Sequence, residues 1–343
     1  MDLYVAGAAC ISPQPSFGDG GLAALRAVAG GDTLHAVEPD YRAFFPPSQL
    51  RRLSRISRMV VAAARRAVES AGVSGVDAVI TGTGLGCFAE SGMFLDAIQA
   101  RGEELLNPSV FIQTTHHAAS TQVAFALDCR GYHNNYCHRA FSFESALLDA
   151  SLLVADGTAR RVLVGGMDEL VPTYATYLRI AGLLEPSPGL AGPVLGEGAA
   201  CFVLSGERGG NDLARFLGTG FTYAPGGGSP VTRGLSRFIA DHLPEGGLPD
   251  LVLFGGMPVH GGALEHLGGG LLRPAARARF THLCGEYHTA AAFGFWLAVR
   301  ILHEGRIPAG LPIEGISPPQ VRSVLVLTHH QDREYAWTLL GHV

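Results

Sequence analysis

Two places in this chain put a nucleophile or an acid beside a histidine. Cys137 is followed directly by His138, a thiol with a base next to it in sequence. Glu286 lies two residues before His288, a carboxyl group with an imidazole within reach. Either pair could take part in acid–base or thioester chemistry. The other candidates are poorer. His116-His117 and His329-His330 look like metal pairs, but neighbouring residues point apart on a helix or a strand, so neither pair can chelate one ion by itself. The turn Gly82-Thr83-Gly84-Leu85-Gly86 follows an apolar run, yet its third glycine is misplaced for a dinucleotide fingerprint and no clean βαβ unit follows.

These residues hang on an α/β pattern. Leu3 to Gly7 and Asp77 to Gly82 read as short buried strands. Arg51 to Gly72 reads as a helix, since Leu53, Ile56, Val60, Ala63, Ala67 and Ala71 recur at helical steps and Gly72 supplies the stop. Phe141 to Ala155 is apolar nearly all round, which predicts a helix buried on every side. Asp156-Gly157 ends it and Arg161 to Gly166 is the next strand. The second half repeats the theme. Leu251 to Gly256 is a strand, Thr289 to His303 a second nearly all-apolar helix, and Val324 to Leu327 a strand again. Two such halves imply an internal duplication, with the glycine-rich stretch Gly209 to Gly228 as the junction.

Composition narrows the function further. A chain of 343 residues with 47% hydrophobic residues suits two fused halves around a large shared core. A net charge of −5 gives no broad footprint for nucleic acid. No run of about eighteen apolar residues free of charge appears, so no membrane span is expected. The first residues lack a basic segment of the secretory kind, and a cytoplasmic protein is expected. The six cysteines, Cys10, Cys87, Cys129, Cys137, Cys201 and Cys284, form no CxxC pair. They read as reduced, mostly buried thiols, with no metal and no cofactor expected.

From Gly131 to Glu169 the order of segments becomes specific. Arg130-Gly131, a strand, a sharp turn, a buried helix, Asp156-Gly157 and VLVGGMDE resemble the nucleophile region of β-ketoacyl synthases. Arg58-Met59 with AAARRAVESAG resembles that family's early helix, and Asn107-Pro108-Ser109 the start of its dimer segment. LGEGAACFVL, from Leu195 to Leu204, resembles the strand that closes the first half. The resemblance spans most of the chain. It implies the five-layered αβαβα thiolase architecture built of two duplicated halves, divided here as 1–207 and 208–343.

Such enzymes carry an acyl chain on a cysteine at a helix N-terminus and use two histidines for decarboxylation and oxyanion stabilisation. Counting forward from Gly131 and back from Gly165-Gly166 places the family cysteine on Ala140. The first family histidine corresponds to Gly256 in LFGGMP, the second to Glu286 in CGEYHTAAAFG, and the family lysine falls near Thr281. The glycine-rich oxyanion loop is replaced by THHQDRE, Thr328 to Glu334. The resemblance therefore implies a non-catalytic subunit, like the chain-length factors of type II polyketide and aryl polyene systems. Its expected partners are a catalytic ketosynthase in a heterodimer and an acyl carrier protein bearing a phosphopantetheine-bound chain. The carrier would dock on Arg51, Arg52, Arg55 and Arg58. The dimer interface would use Tyr132, Asn134 and Tyr136 with Gln113, Thr114 and Thr115. The alternatives are an active condensing enzyme or a malonyl decarboxylase with displaced residues (Cys137, His138, His288), and an acyl-binding homodimer.

Overall fold

The computed structural model describes residues 3–18, 21–26, 32–184, 193–257 and 270–343. Among the described residues there are ten strands: β1 (Leu3–Ile11), β2 (Ala78–Gly82), β3 (His133–Tyr136), β4 (Arg161–Asp168), β5 (Gly198–Ser205), β6 (Ala214–Tyr223), β7 (Leu251–Met257), β8 (Ala276–Arg279), β9 (Ser323–His330) and β10 (Glu334–Gly341). The longer helices are α1 (Arg55–Ala71), α2 (Phe88–Arg101), α3 (Pro108–Gln113), α4 (Ala118–Ala126), α5 (Ser142–Ala155), α6 (Pro172–Ile180), α7 (Ser229–His242) and α8 (Ala290–Glu304).

The strands form one mixed sheet in the order β3-β2-β4-β5-β1-β6-β10-β9-β7-β8. Read outward from its centre, each side has the same plan. β1 through β5 lie in the order 1-5-4-2-3, and β6 through β10 repeat it as 6-10-9-7-8. The sides join where β1 pairs antiparallel with β6, Leu3 opposite Phe216. The duplication expected from the repeated helix-and-strand pattern is thus present in the topology.

Alternation along the strands sorts side chains into three apolar layers. On β2 and β4, Ile80, Val162 and Val164 face the central core, while Val79 and Leu163 face α1. On β9, Val324 and Val326 face the centre, while Leu325 and Leu327 lie in the layer that α7 covers. Helices α5 and α8 fill the central layer and touch both sides of the sheet. The result is five layers: α1 with α4, the first half-sheet, α5 with α8, the second half-sheet, and α7.

Several elements depart from the sequence reading. The helix expected from Arg51 is broken: Pro47–Leu50 makes one turn, and α1 starts only at Arg55, capped by the Ser54 hydroxyl, which accepts from the Ser57 amide. Gly72 ends α1 in the left-handed conformation, as expected (φ 64°). Helix α5 is not buried on every side, because Leu148 and Leu152, one turn apart, are exposed. Strand β1 runs on to Ile11. The stretch Gly209 to Gly228 is no plain linker, since β6 occupies its middle. Gly218 and Gly220 belong there because a Cβ on either would lie 2.5 Å from His242 or from Trp337.

Candidate functional site

Strands β2, β3, β4, β7 and β9 run parallel within their halves, and their carboxyl ends converge where α5 and α8 begin. Ligand sites of α/β proteins form in such places, with backbone amides of two helix N-termini pointing inward. A cavity lies there, lined among others by Ala140, Tyr174, Gly256, Glu286, His288 and His330. The three positions matched to the catalytic cysteine and histidines therefore meet, together with Thr328 of the altered loop. The cavity is tight. About 20 Å³ of it is open to a water, room for about one molecule.

Ala140 sits in a single 3-10 turn, Arg139–Phe141, leading into α5. Arg139 holds a left-handed conformation (φ 53°), a strained state for a residue with a Cβ. Glu144 lies one helical turn beyond Ala140. Its carboxyl is fully buried, one oxygen has no hydrogen-bond partner, and burial pushes its pKa up to about 8.

Gly256 has φ 131°, and a Cβ built on it would lie 2.1 Å from the His329 carbonyl oxygen. No side chain fits there on this backbone. The buried Glu286 carboxyl lies next to the Gly256 amide and the Thr281 hydroxyl, both of which favour its charged form. Burial dominates and raises the Glu286 pKa to about 7. The start of α8 is capped by a carboxylate from another element. Asp168 does that work: it accepts from the Thr289 amide and hydroxyl at 2.9 and 2.8 Å, and from Thr83, Gly84 and Leu85 at 2.9–3.1 Å. One carboxylate thus pins the glycine turn after β2 to the start of α8. Gly84 is needed at that turn because the His288 side chain lies against it, its Cβ 2.2 Å from where a Cβ on Gly84 would be.

Imidazoles do occupy the cavity, though not at the matched positions. His288 Nε2 lies 3.2 Å from the Tyr174 hydroxyl, and the His288 and His330 ring centroids are 4.7 Å apart. Burial lowers both pKa values, so both rings are neutral near pH 7. His330 arrives there through the hairpin between β9 and β10. Its turn has positive φ at both Gln331 and Asp332, as a type I′ turn requires, in place of an open glycine loop. Cys137 and His138 do not line the cavity. Cys137 follows β3 rather than lying within it, is exposed, and its thiol pKa is raised by partial burial and by Asp168. His138 faces Ser145 at 3.2 Å and packs on Phe141 and Phe221.

The other expected surface residues are scattered in role. Arg51 and Arg52 are exposed in the turn before α1. Arg55 is committed elsewhere: both guanidinium ends bond the buried Glu197 at 2.6 and 2.7 Å, and Glu38 takes Nε. Arg58 donates to the Leu53 carbonyl at 3.1 Å. Strand β3 is the sheet's terminal strand and pairs with β2 on one side. Tyr132 bonds Asp149 of α5 at 3.0 Å and receives Asn134 at 3.2 Å, while Tyr136 is half-buried nearby. Gln113 donates to the Arg52 carbonyl at 2.6 Å; the Thr114 and Thr115 hydroxyls bond back within their own turn. Around β3 the side chains of Phe125, Leu148 and Leu152 are exposed.

Five layers, a duplicated strand order and a cavity at two helix N-termini define the thiolase-like fold of the ketosynthases. In agreement, residues 30–192 match the family model of the β-ketoacyl synthase N-terminal domain. Solved structures match over 100% of this chain and 99% of theirs. The ishigamide ketosynthase/chain length factor has a TM-score of 0.80 at 19% identity. A beta-ketoacyl synthase from Burkholderia phymatum STM815 has 0.81 at 16%. The complex AntDE:AntF, a type II PKS acyl-carrier protein with its ketosynthase bound to the hexaketide, has 0.76 at 14%. No curated protein sequence matches the chain significantly. Among the described residues no helix is long and apolar enough to cross a membrane.

Proposed function

We propose that this chain is a partner subunit of the chain-length-factor type, pairing with a catalytic ketosynthase and meeting an acyl carrier protein. The observation that carries the reading is the closure of the matched positions on one another. Gly256 and the buried Glu286 stand side by side where two imidazoles would be needed, and Ala140 has no atom able to form a thioester. Where a synthase needs a thiolate facing two imidazoles, this cavity has a methyl, a bare backbone and a buried carboxyl at the matched positions. The free edge of β3, flanked by the apolar side chains of Phe125, Leu148 and Leu152, supports a partner on that side. Tyr132, Asn134 and Tyr136, with Gln113, Thr114 and Thr115, stand at this interface. Of the arginines proposed for carrier docking, Arg51 and Arg52 are the free ones. The division at 207 and 208 is proposed on the repeat itself, since β5 ends at Ser205 and β6 begins at Ala214.

Co-expression with a cysteine-bearing ketosynthase encoded nearby, followed by size-exclusion chromatography with light scattering, tests the pairing. A 1:1 complex is expected. Two species eluting separately would refute it. One observation favours a second reading: His288 and His330 keep two neutral imidazoles in the cavity, so a malonyl decarboxylase needing no cysteine remains a defined alternative. Release of carbon dioxide from a malonyl-loaded carrier by the purified chain alone would select it.

A further inference from the structure

We infer that Arg139 is a gate across the mouth of the cavity, shut by Glu334 and Gln331, and that the cavity opens when this side chain swings outward. Three observations lead there. Arg139 immediately precedes Ala140 on one wall, and its guanidinium reaches residues flanking His330 on the opposite wall. Nε lies 3.5 Å from Glu334 Oε1, and Nη2 lies 3.5 Å from Gln331 Oε1. The gate therefore bridges the two walls. It is also loosely held: both contacts are long for charge-assisted bonds, and the Arg139 side chain is 57% exposed while that of Glu334 is 10% exposed.

The third observation is strain. Arg139, Gln331 and Asp332 all have positive φ, and none is glycine. Strained residues of this kind collect at clamps and switches, where the surroundings hold them in place. The far side of the gate is fixed. The tip of the hairpin is hydrogen-bonded to the loop after β6, with the Ala224 amide donating to Arg333 and the Gly226 amide to Asp332 at 2.7 and 2.9 Å. The moving part is thus the arginine side chain and not the hairpin. With the gate shut the cavity holds about one water, and behind it His330 Nε2 and His288 Nδ1 are buried without partners. Two polar atoms left unsatisfied in this way mark where an incoming hydrogen-bonding group would be received.

The test needs neither a partner nor a carrier, so its failure would leave the subunit reading standing, and the reverse. Diethyl pyrocarbonate modifies neutral imidazoles, and peptide mass spectrometry reports each site separately. Exposed His133 serves as the reference, and half-buried His282, whose Nε2 is 2.9 Å from the Gly310 carbonyl, as the control far from the gate. In the parent chain His330 should react much more slowly than His133. Arg139→Ala should raise the rates at His330 and His288 about three- to tenfold relative to His133, the range set by one partly buried ion pair. His282 should not change. Glu334→Gln, which keeps shape and removes the charge, should give a smaller increase at the same two sites. Unchanged protection of His330 in both variants would overturn the inference. So would an equal acceleration at His282, because the exposure would then come from general loosening.

Discussion

Gly256→Ala should be among the most destabilising single-methyl additions this chain can suffer. The cost follows from two features of one residue. At φ 131° any residue with a Cβ is strained, a state worth about 1–3 kcal/mol. The new methyl would lie 2.1 Å from the His329 carbonyl oxygen and 2.6 Å from its ring, and that oxygen is backbone in the strand paired with β7. It cannot rotate aside as a side-chain tip would, so relieving the overlap adds overpacking of about 1–3 kcal/mol. Together the loss is about 2–6 kcal/mol. Unfolding entropy of about 2.1 cal/mol/K per residue makes each degree worth about 0.7 kcal/mol for a chain of this length. The melting temperature should therefore fall by about 3–8 °C, read by circular dichroism. Gly92→Ala is the control, as its added methyl meets nothing within 4 Å in a helix and should be neutral or slightly stabilising. If Gly256→Ala melts within a degree of the parent, the backbone can accommodate a side chain there. The argument that no histidine fits would then fail.

Three further outcomes are expected. Ala140→Cys should be acylated slowly by a reactive thioester, since the N-terminus of α5 remains, yet carrier-bound condensation product should stay at least ~10⁴-fold below an intact synthase by mass spectrometry, the loss expected for missing acid–base and oxyanion help; turnover within a few-fold would mean His288 and His330 serve as catalysts. Glu144→Gln should stabilise the chain increasingly as pH rises from about 5 to 8. The folded state holds the Glu144 proton up to about pH 8, so stability is lost between the unfolded pKa and that value, at up to about 1.4 kcal/mol per pH unit; urea midpoints of parent and variant that run parallel from pH 5 to 8 would contradict this. Reversing the charge of Arg51 and Arg52 should weaken carrier binding at low salt and matter less at high salt, measured by calorimetry; equal affinities at low salt would remove these residues from the docking surface.

Much of this arrangement was legible in the sequence, and the failures have physical causes. Short apolar runs located β1, β2, β4, β7 and β9, and helical steps or all-round apolarity located α1, α5 and α8, because burial on two faces leaves an unbroken apolar pattern; β6, β8 and β10 left no such signal. Ala140, Gly256 and Glu286, far apart in sequence, were placed in one site only by their match to the family's cysteine and two histidines, and all three line the cavity. What could not be read were contacts between elements. Asp168 stood in the quoted VLVGGMDE with nothing local to reveal its bonds to Thr83 and Thr289. His330 enters the cavity through left-handed residues at Gln331 and Asp332, and neither is a glycine that would announce the turn. The rings of His242 and Trp337 explain Gly218 and Gly220 in β6, and no local pattern could tell those glycines from linker. Arg55 looked like a free surface cation until its partner Glu197, more than 140 residues away, came into view.

The changes at the cavity constrain one another, which bears on whether any single reversal could restore chemistry. Glu286 can be buried because the Gly256 amide and the Thr281 hydroxyl lie beside it, and because its raised pKa lets it carry a proton near neutrality. Gly256 in turn can offer that amide only in a conformation closed to side chains. A histidine at 286 would lose a partner fitted to a carboxyl, and one at 256 would need β9 to move. The frame around them is firmly tied: Asp168 joins the turn after β2 to α8, and both helix N-termini face the cavity. On the proposed reading, a rigid frame around a centre without a thiol serves shape and partner contact, and the two imidazoles left in it, His288 and His330, lie behind Arg139.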